Sequence, residues 1–347
     1  GTMVCSGEPS ALAVTPDGKA VVVGYLIPTG DATSEKNAAK VAIFDMGSYR
    51  RIAEIALPPG SAGIRTAAIS SDGRWAFVPH ALGRYNLPTT QLDRGWVNTN
   101  ALSILDLRAR KVYATVLLDN TQQGAADPWG VIASKDGTRV WVTLSGAQEL
   151  ACLDLRGMMK LMAGGLPDDS PLNKHSAEWA ATMKNVWQEI KADPAKRSEL
   201  VNDLAALYIA DLIVRVRVPG NGPRGLSISP DGQTIAIAQY FTGDVALTDR
   251  AGRVKKVVSL GPSRKPDQVR LGEQIFHDGT LCFQHWLSCA TCHPDTRVDG
   301  MNWDLLNDGM GNPKNTRSLV LAHRRGRMMS HGVRADYTVA TRAGFRF

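Results

Sequence analysis

Cysteine is scarce in this chain of 347 residues, with five in all, and histidine is hardly commoner, with seven. So few cysteines exclude a disulfide-built scaffold. Long apolar runs are missing too. The longest near the start, Ala20–Ile27, falls well short of the roughly 18 residues that a membrane-spanning helix needs. No nucleic-acid-binding motif accompanies the basic residues, so DNA and RNA are not expected partners. No secretory leader is visible. The opening Gly-Thr-Met resembles an expression remnant, which leaves the question of a leader open.

What is present is a globular composition rich in turn formers: 44% hydrophobic, 21% charged, 33 Gly and 18 Pro. The net charge of +7 is uneven, because the whole surplus lies beyond residue 252. A basic segment there suits an anionic partner, such as an acidic redox protein or the propionates of a haem, or it is a solvated face.

Residues 9–262 hold an imperfect repeat. Four segments, starting at Ala11, Ala67, Gly130 and Gly225, each run from a short apolar stretch through a polar turn ending in Asp-Gly to a second β-rich stretch. Glycine supplies the positive φ that such a turn needs. Each unit continues into a strand ending in Asp (Asp45, Asp106, Asp154, Asp249) and then a fourth run. Four short antiparallel strands per unit, repeated, predict β-propeller blades rather than a generic sandwich. Four blades form either a small ring or, as expected here, an arc of a larger propeller. The turn residues Asp17, Asp72, Asp136 and Asp231 are expected to shape turns and bind nothing.

Uneven spacing of the units implies long insertions. The largest, about 157–210, has apolar residues at helical spacing (Trp179, Met183, Val186, Trp187, Ile190) and predicts a helical insert between the third and fourth strands of the third blade. Its Trp/Met stripe is expected to be a packing face. A second insertion, His80–Asn100, predicts a long polar loop in which His80 is either a satisfied hydrogen-bonding residue or a site residue.

The pattern changes after residue 261, giving a propeller over 1–261 and a helical domain over 262–347. Gln268–Asp278 predicts an amphipathic helix anchored by Val269, Ile275 and Phe276, and further helices are expected at Thr316–Ala322 and Ala335–Ala343. Between them lies Cys-Ala-Thr-Cys-His, residues 289–293. C-x-x-C-H is the attachment motif of c-type haem. Two cysteines three apart on a helical turn present their sulfurs to the two vinyl groups, and the next residue falls beneath the iron. Cys289 and Cys292 would form thioethers, and His293 would be the proximal ligand. Zinc is the competitor, because His277, Cys282 and His285 crowd the same stretch. However, adjacent Cys292 and His293 can hardly share one zinc. Cys282 is expected to be a buried or free thiol, and Cys5 and Cys152 to be unpaired.

The run Leu-Gly-Glu-Gln-Ile-Phe-His-Asp (271–278), the haem motif with Pro-Asp-Thr-Arg-Val-Asp-Gly after it, and Asn-Asp-Gly-Met-Gly-Asn-Pro-Lys-Asn-Thr-Arg-Ser-Leu (307–319) resemble the first haem domain of bacterial dihaem cytochrome c peroxidases. The blades, with Gly220–Leu226, resemble YVTN-type propellers. The combined order, including Arg94–Asn100 and Asn302–Gly309, is similar to bacterial propeller–dihaem fusions and covers nearly the whole chain.

This resemblance implies covalent haem c, an electron donor such as a small redox protein, hydrogen peroxide or a small substrate, and a periplasmic or cell-surface setting. It also implies a second haem domain, and this sequence has one C-x-x-C-H, so the chain resembles a section truncated at both ends. Distal iron ligands are sought among His323, Met328, Met329 and His331. Calcium is permitted at Asp295, Asp299, Asp304 and Asp308, although solvated turns are the plainer expectation. Trp286 and Trp303 are expected to pack against the macrocycle or to lie on an electron path. The rival expectations are an electron-transfer cytochrome without catalysis and a propeller scaffold for binding.

Overall fold

The computed structural model describes residues 1–347 except 89–95, 174–183, 263–264, 305–308, 330–331 and 345–347. It is mainly β. The first blade is β1 (Pro9–Val14), β2 (Ala20–Tyr25), β3 (Lys40–Asp45) and β4 (Arg51–Ala56), hydrogen-bonded in that order. In the second, the short β5 (Ser61–Ala62) and β6 (Ala68–Ile69) both pair with β7 (Trp75–Gly83), followed by β8 (Asn98–Asp106) and β9 (Lys111–Leu117). The third is β10 (Pro128–Ala133), β11 (Arg139–Leu144), β12 (Glu149–Asp154) and β13 (Ile213–Arg217). The fourth is β14 (Pro223–Ile228), β15 (Ile235–Gln239), β16 (Asp244–Thr248) and β17 (Val254–Ser259).

The repeated Asp-Gly pairs act as turn chemistry. Gly18, Gly73, Gly137 and Gly232 all take φ between 66° and 70°. Each preceding Asp accepts the backbone N–H two residues on, for example Lys19 N to Asp17 at 3.0 Å and Gln233 N to Asp231 at 3.0 Å. The second set of aspartates is also explained. Asp45, Asp106 and Asp249 take backbone N–H groups of the turn into the fourth strand. In the third blade Asp154 instead accepts from Gly157 N and caps a helix, which launches the insert.

That insert lies between the third and fourth strands of its blade, as predicted, and starts at residue 155. It holds α1 (Leu155–Met162), α2 (Val186–Ala192) and α3 (Ala206–Ile209). Val186, Trp187 and Ile190 are buried against the second and third blades, and the Trp187 indole donates to Ala206 O at 2.7 Å, so the described part of the stripe is a packing face. Trp179 and Met183 lie outside the described residues.

Adjacent blades pack in chain order through separate apolar clusters. Blades 1 and 2 meet at Val22, Ile43, Ile64 and Val78, and blades 3 and 4 at Trp141, Leu150, Ile235 and Ile237. Blade 4 buries one face only. Ile235, Ile237 and Ala246 are inside, Ala238 is exposed, and every residue of β17 is exposed.

The long polar loop is shorter than the sequence suggests. His80 sits inside β7 and Asn98–Asn100 inside β8, because β7 and β8 pair in continuous register from Trp75–Asp106 to Gly83–Asn98.

Beyond β17 come α4 (Gln268–Phe276), the one-turn α5 (Cys289–Cys292), a two-residue pair of β18 (Asn302–Trp303) with β19 (Lys314–Asn315), and α6 (Tyr337–Gly344). Two expectations fail here. Val269 is 83% exposed and anchors nothing, while Ile275 and Phe276 are half-buried. The helix expected over Thr316–Ala322 does not form. Leu319 N bonds across to Thr296 O at 2.7 Å, Leu321 takes φ 57°, and only a 3-10 turn, Ala322–Arg324, follows.

Candidate functional site

The C-x-x-C-H stretch folds locally as its sequence dictates. Ser288 has extended backbone and caps α5. Its hydroxyl accepts Ala290 N at 3.0 Å, and Thr291 Oγ1 accepts Ser288 N at 2.9 Å, a reciprocal capping box. Cys289 and Cys292 thus sit at the two ends of one helical turn. None of the five cysteines is in a disulfide. Cys289 is exposed and Cys292 half-buried. Desolvation raises both thiols, Cys292 well above the usual range, with Asp127 adding to the effect at Cys289 and Asp299 at Cys292.

His293 ends the turn. Its Nδ1 donates to Arg297 O at 3.3 Å, and burial lowers its basicity. With Nδ1 so used, the neutral ring keeps its lone pair on Nε2, the nitrogen that a metal would take.

The sequence did not single out what holds this turn. Asp127, in the loop before β10, takes Ser288 Oγ on Oδ2 at 2.5 Å and Thr291 Oγ1 on Oδ1 at 2.7 Å. Asn98 Nδ2 reaches Cys292 Sγ at 3.8 Å, and Asn100 Nδ2 donates to Trp286 O at 3.2 Å. Asn98 and Asn100 are two apart on β8, so strand alternation gives them the same face. Asn100 is fixed in turn by Asp119, a fully buried carboxylate that also accepts Asn100 N and Ala125 N, and that burial pushes up to about 6.

Backbone bonds complete the docking. Gly124 N donates to Gln284 O at 2.8 Å, Ala126 N to His285 O at 3.2 Å and Gly279 N to Gly146 O at 3.0 Å. Gly124 is required by closeness, because a Cβ there would lie 2.3 Å from Trp286 Cα. The signal for this loop was the run of small residues Gly124–Ala126, which says little without the partner segment.

The other expected residues fall in several places. His80 is fully buried and satisfied. Its Nδ1 donates to Ala81 O at 2.9 Å, so Nε2 accepts from Ser103 Oγ at 2.8 Å, and burial lowers its pKa to about 4. Asp295 pairs with Arg65 at 2.9 Å. Asp299 accepts Trp303 Nε1 at 2.8 Å and Met301 N at 3.0 Å, and burial pushes it up to about 6. Asp304 accepts Gly311 N at 2.7 Å. Asp308 and His331 lie outside the described residues. Among the described residues no three His, Cys, Asp or Glu side chains gather where a metal ion could be held. His277 and His285 have separate neighbours: His277 lies among aromatic rings, and Gln123 Nε2 donates to His285 Nδ1 at 2.7 Å. Trp286 and Trp303 are both buried, and Trp303 packs with Ala62, Tyr85, Val97 and Met301. His323 is exposed in its 3-10 turn, Met328 is half-buried in a bridge with Arg334, and Met329 is exposed.

The donor set fits a c-type haem: two thiols one turn apart, followed by an imidazole oriented through Nδ1. The surroundings fit as well. Among the described residues of 262–347, Trp286, Met301 and Trp303 are the large apolar side chains that are buried. Leu281, Phe283, Val320, Leu321 and Val333 are exposed by 48–68%. Such a region has little core of its own, and a macrocycle would supply one.

Residues 266–342 match the family model for di-haem cytochrome c peroxidase. Hydrazine synthase subunit beta of Kuenenia stuttgartiensis is 22% identical over 239 residues, covering 69% of this chain and 53% of that protein. The solved Kuenenia stuttgartiensis hydrazine synthase aligns with a TM-score of 0.53 at 24% identity, over 70% of this chain and 58% of that one. The chain therefore spans about half the length of the curated relative it matches. No helix among the described residues is long and apolar enough to cross a membrane. The chain joins four blades of a β-propeller-like fold to a C-terminal region that matches the di-haem cytochrome c peroxidase family model over residues 266–342.

Proposed function

We propose that this chain is the haem-bearing section of a redox protein of the dihaem peroxidase type, with haem c attached through Cys289 and Cys292 and ligated by His293. The observation that carries this reading is the capped C-x-x-C turn ending in an imidazole whose Nδ1 is already used by Arg297 O. When bound, the haem would supply one-electron chemistry toward hydrogen peroxide or a small substrate.

The chain's own residues position the group. Ser288 and Thr291 fix the turn from which both sulfurs project. Asp127 ties that turn to the propeller, and Asn98 orients Cys292. The Arg297 carbonyl sets the imidazole tautomer and makes it a stronger donor. Trp286, three residues before Cys289, is buried and would exclude water beside the turn. The propeller would hold the partner or substrate, a small redox protein serving as electron donor. Thioether attachment of haem belongs to oxidising compartments, so a periplasmic or cell-surface setting follows from the same reading.

A pyridine haemochrome spectrum with the intact mass, on protein matured with a cytochrome c assembly system, tests the attachment. The expected result is one haem per chain, retained after denaturation and acid–acetone extraction. Colourless protein, or haem that extracts freely, overturns it. A peroxide-turnover assay with a reduced donor, on the protein including any further haem domain, then separates a peroxidase from a plain electron carrier.

A further inference from the structure

Counting back seven residues from each turn aspartate gives Ser10, Arg65, Trp129 and Arg224, so the repeat places these four at one position near the start of successive blades, Arg65 between β5 and β6 and the others in β1, β10 and β14. Arg65 Cζ lies 4.5 Å and Arg224 Cζ 3.9 Å from the Trp129 ring centroid, so cations from blades 2 and 4 both stack on the indole of blade 3. Arg224 also lies 3.8 Å from the centroid of Tyr240 and 5.1 Å from that of Phe241. Rings therefore cover the guanidinium, and its hydrogen-bonding capacity lies in its plane.

Part of that plane is unused. Nε and Nη2 of Arg224 are buried and have no acceptor. These two nitrogens form the side-on edge of the guanidinium, whose parallel N–H groups match both oxygens of one carboxylate-like anion. The neighbouring cations are already matched. Arg65 pairs with Asp295 at 2.9 Å and Arg270 with Glu273 at 2.6 Å. Among the described residues Arg224 forms no ion pair; Glu273 and Asp127 act on it only from a distance, and desolvation lowers its pKa to about 10. A buried fork without an acceptor costs free energy that a ligand would recover. A second orphan faces the same rings. His277 is buried, its ring lies 6.1 Å from Trp129 and 6.0 Å from Phe241, and its Nδ1 has no partner.

We propose that Arg224, within the cage of Trp129, Tyr240 and Phe241, is a receptor for a small planar oxyanion of the carboxylate class, with His277 as its gate. Both Arg224 nitrogens are shielded in this state, so the anion enters by displacing the His277 ring, which no hydrogen bond holds at Nδ1. The site is independent of haem attachment. It links the propeller to the helical domain, because Arg224 belongs to β14 and His277 ends α4.

Trp129 is the natural reporter. Sodium formate is titrated against chloride at constant ionic strength, and the fluorescence of Trp129→Phe is subtracted to isolate the one indole. The wild-type chain should give a saturable change. Arg224→Lys keeps the charge, loses the fork, and should bind about tenfold or more weakly, the loss of one strong hydrogen bond. Arg224→Met should not respond. Circular dichroism checks that each variant is folded, and Arg224→Lys carries the test if Arg224→Met is not. A linear, unsaturable change, no change in the wild type, or equal titrations in wild type and Arg224→Lys would each overturn the proposal.

Discussion

The blades and the segment after residue 261 are held together in different ways. Blades 2 and 3 and their insert share one large apolar cluster in which Phe77, Leu102, Ile104, Val140 and Trp187 are fully buried. The C-terminal segment buries three large apolar side chains among its described residues and leaves Phe283, Leu281 and Val320 outside. Its order comes from elsewhere, from Asp127, Asn98, Asn100 and the backbone of 124–126. One region folds around its own side chains. The other is arranged on a neighbour and, on the reading proposed here, around a macrocycle.

The sharpest way to break this contrast is to remove the attachment points. Cys289→Ser with Cys292→Ser should abolish covalent haem. It should also open residues 262–347 to limited proteolysis while the propeller survives intact. If cleavage of the matured wild type and of the double variant is equally fast, the macrocycle is not the missing core.

The converse test strikes the propeller. Trp187→Ala removes a fully buried indole and its bond to Ala206 O, and should cost about 3–5 kcal/mol of propeller stability. Denaturant unfolding followed by far-UV circular dichroism measures it. The C-terminal segment should be lost in the same transition, because its anchors are propeller residues. Two separate transitions would show that it folds on its own.

Acid sharpens the comparison further. His80 is buried neutral, with its pKa lowered to about 4 from the usual 6.5 by desolvation. The folded state therefore binds fewer protons than the unfolded state across that interval. The stability His80 contributes is present above pH 6.5 and is lost as pH falls toward 4, by about 3 kcal/mol. The difference in stability between His80→Gln and wild type, followed from pH 7 to pH 4.5, should move in the variant's favour as pH falls. A constant difference would mean that His80 is not kept neutral. Asp119 and Asp299 act in the opposite sense. Burial raises both to about 6, so their share of stability falls as pH rises toward 6.

Legibility followed the range of the interactions. The Asp-Gly turns, the strand order within each blade and the place of the insert were readable, because each depends on residues close in sequence. The local shape of the C-x-x-C-H stretch was readable for the same reason, since Ser288 to His293 is one capped turn. Asp127 was not, because its partners lie more than 160 residues away and nothing in the Ala-Asp-Pro-Trp run announces a clamp. The helix expected at Thr316–Ala322 failed where Leu319 found Thr296 instead of its own helical partner. Arg65, Trp129 and Arg224 lie between these cases. Their equal offset from the turn aspartates was present in the repeat, but only the blade geometry shows that equal offsets meet.

The smallest effect concerns the clamp. Asp127→Asn keeps the shape of the side chain but removes the charge and one of the two acceptor oxygens. Ser288 and Thr291 both donate to Asp127, so one hydroxyl must lose its acceptor, which costs about 1–3 kcal/mol at a part-buried site. Asp127 takes φ 53°, and Asn tolerates that left-handed conformation about as well as Asp, so backbone strain does not confound the comparison. Because the segment is lost in one transition with the blades, global stability should fall by no more than that amount, and the local effect should be the larger signal. Amide exchange at 284–293 should quicken roughly tenfold or more, the equivalent of that free energy. Ser288→Ala with Thr291→Val removes the same bonds from the other side, so in the background of that pair Asp127→Asn should have little further effect. If it still quickens exchange there, the carboxylate holds this turn through charge rather than through the two hydroxyls.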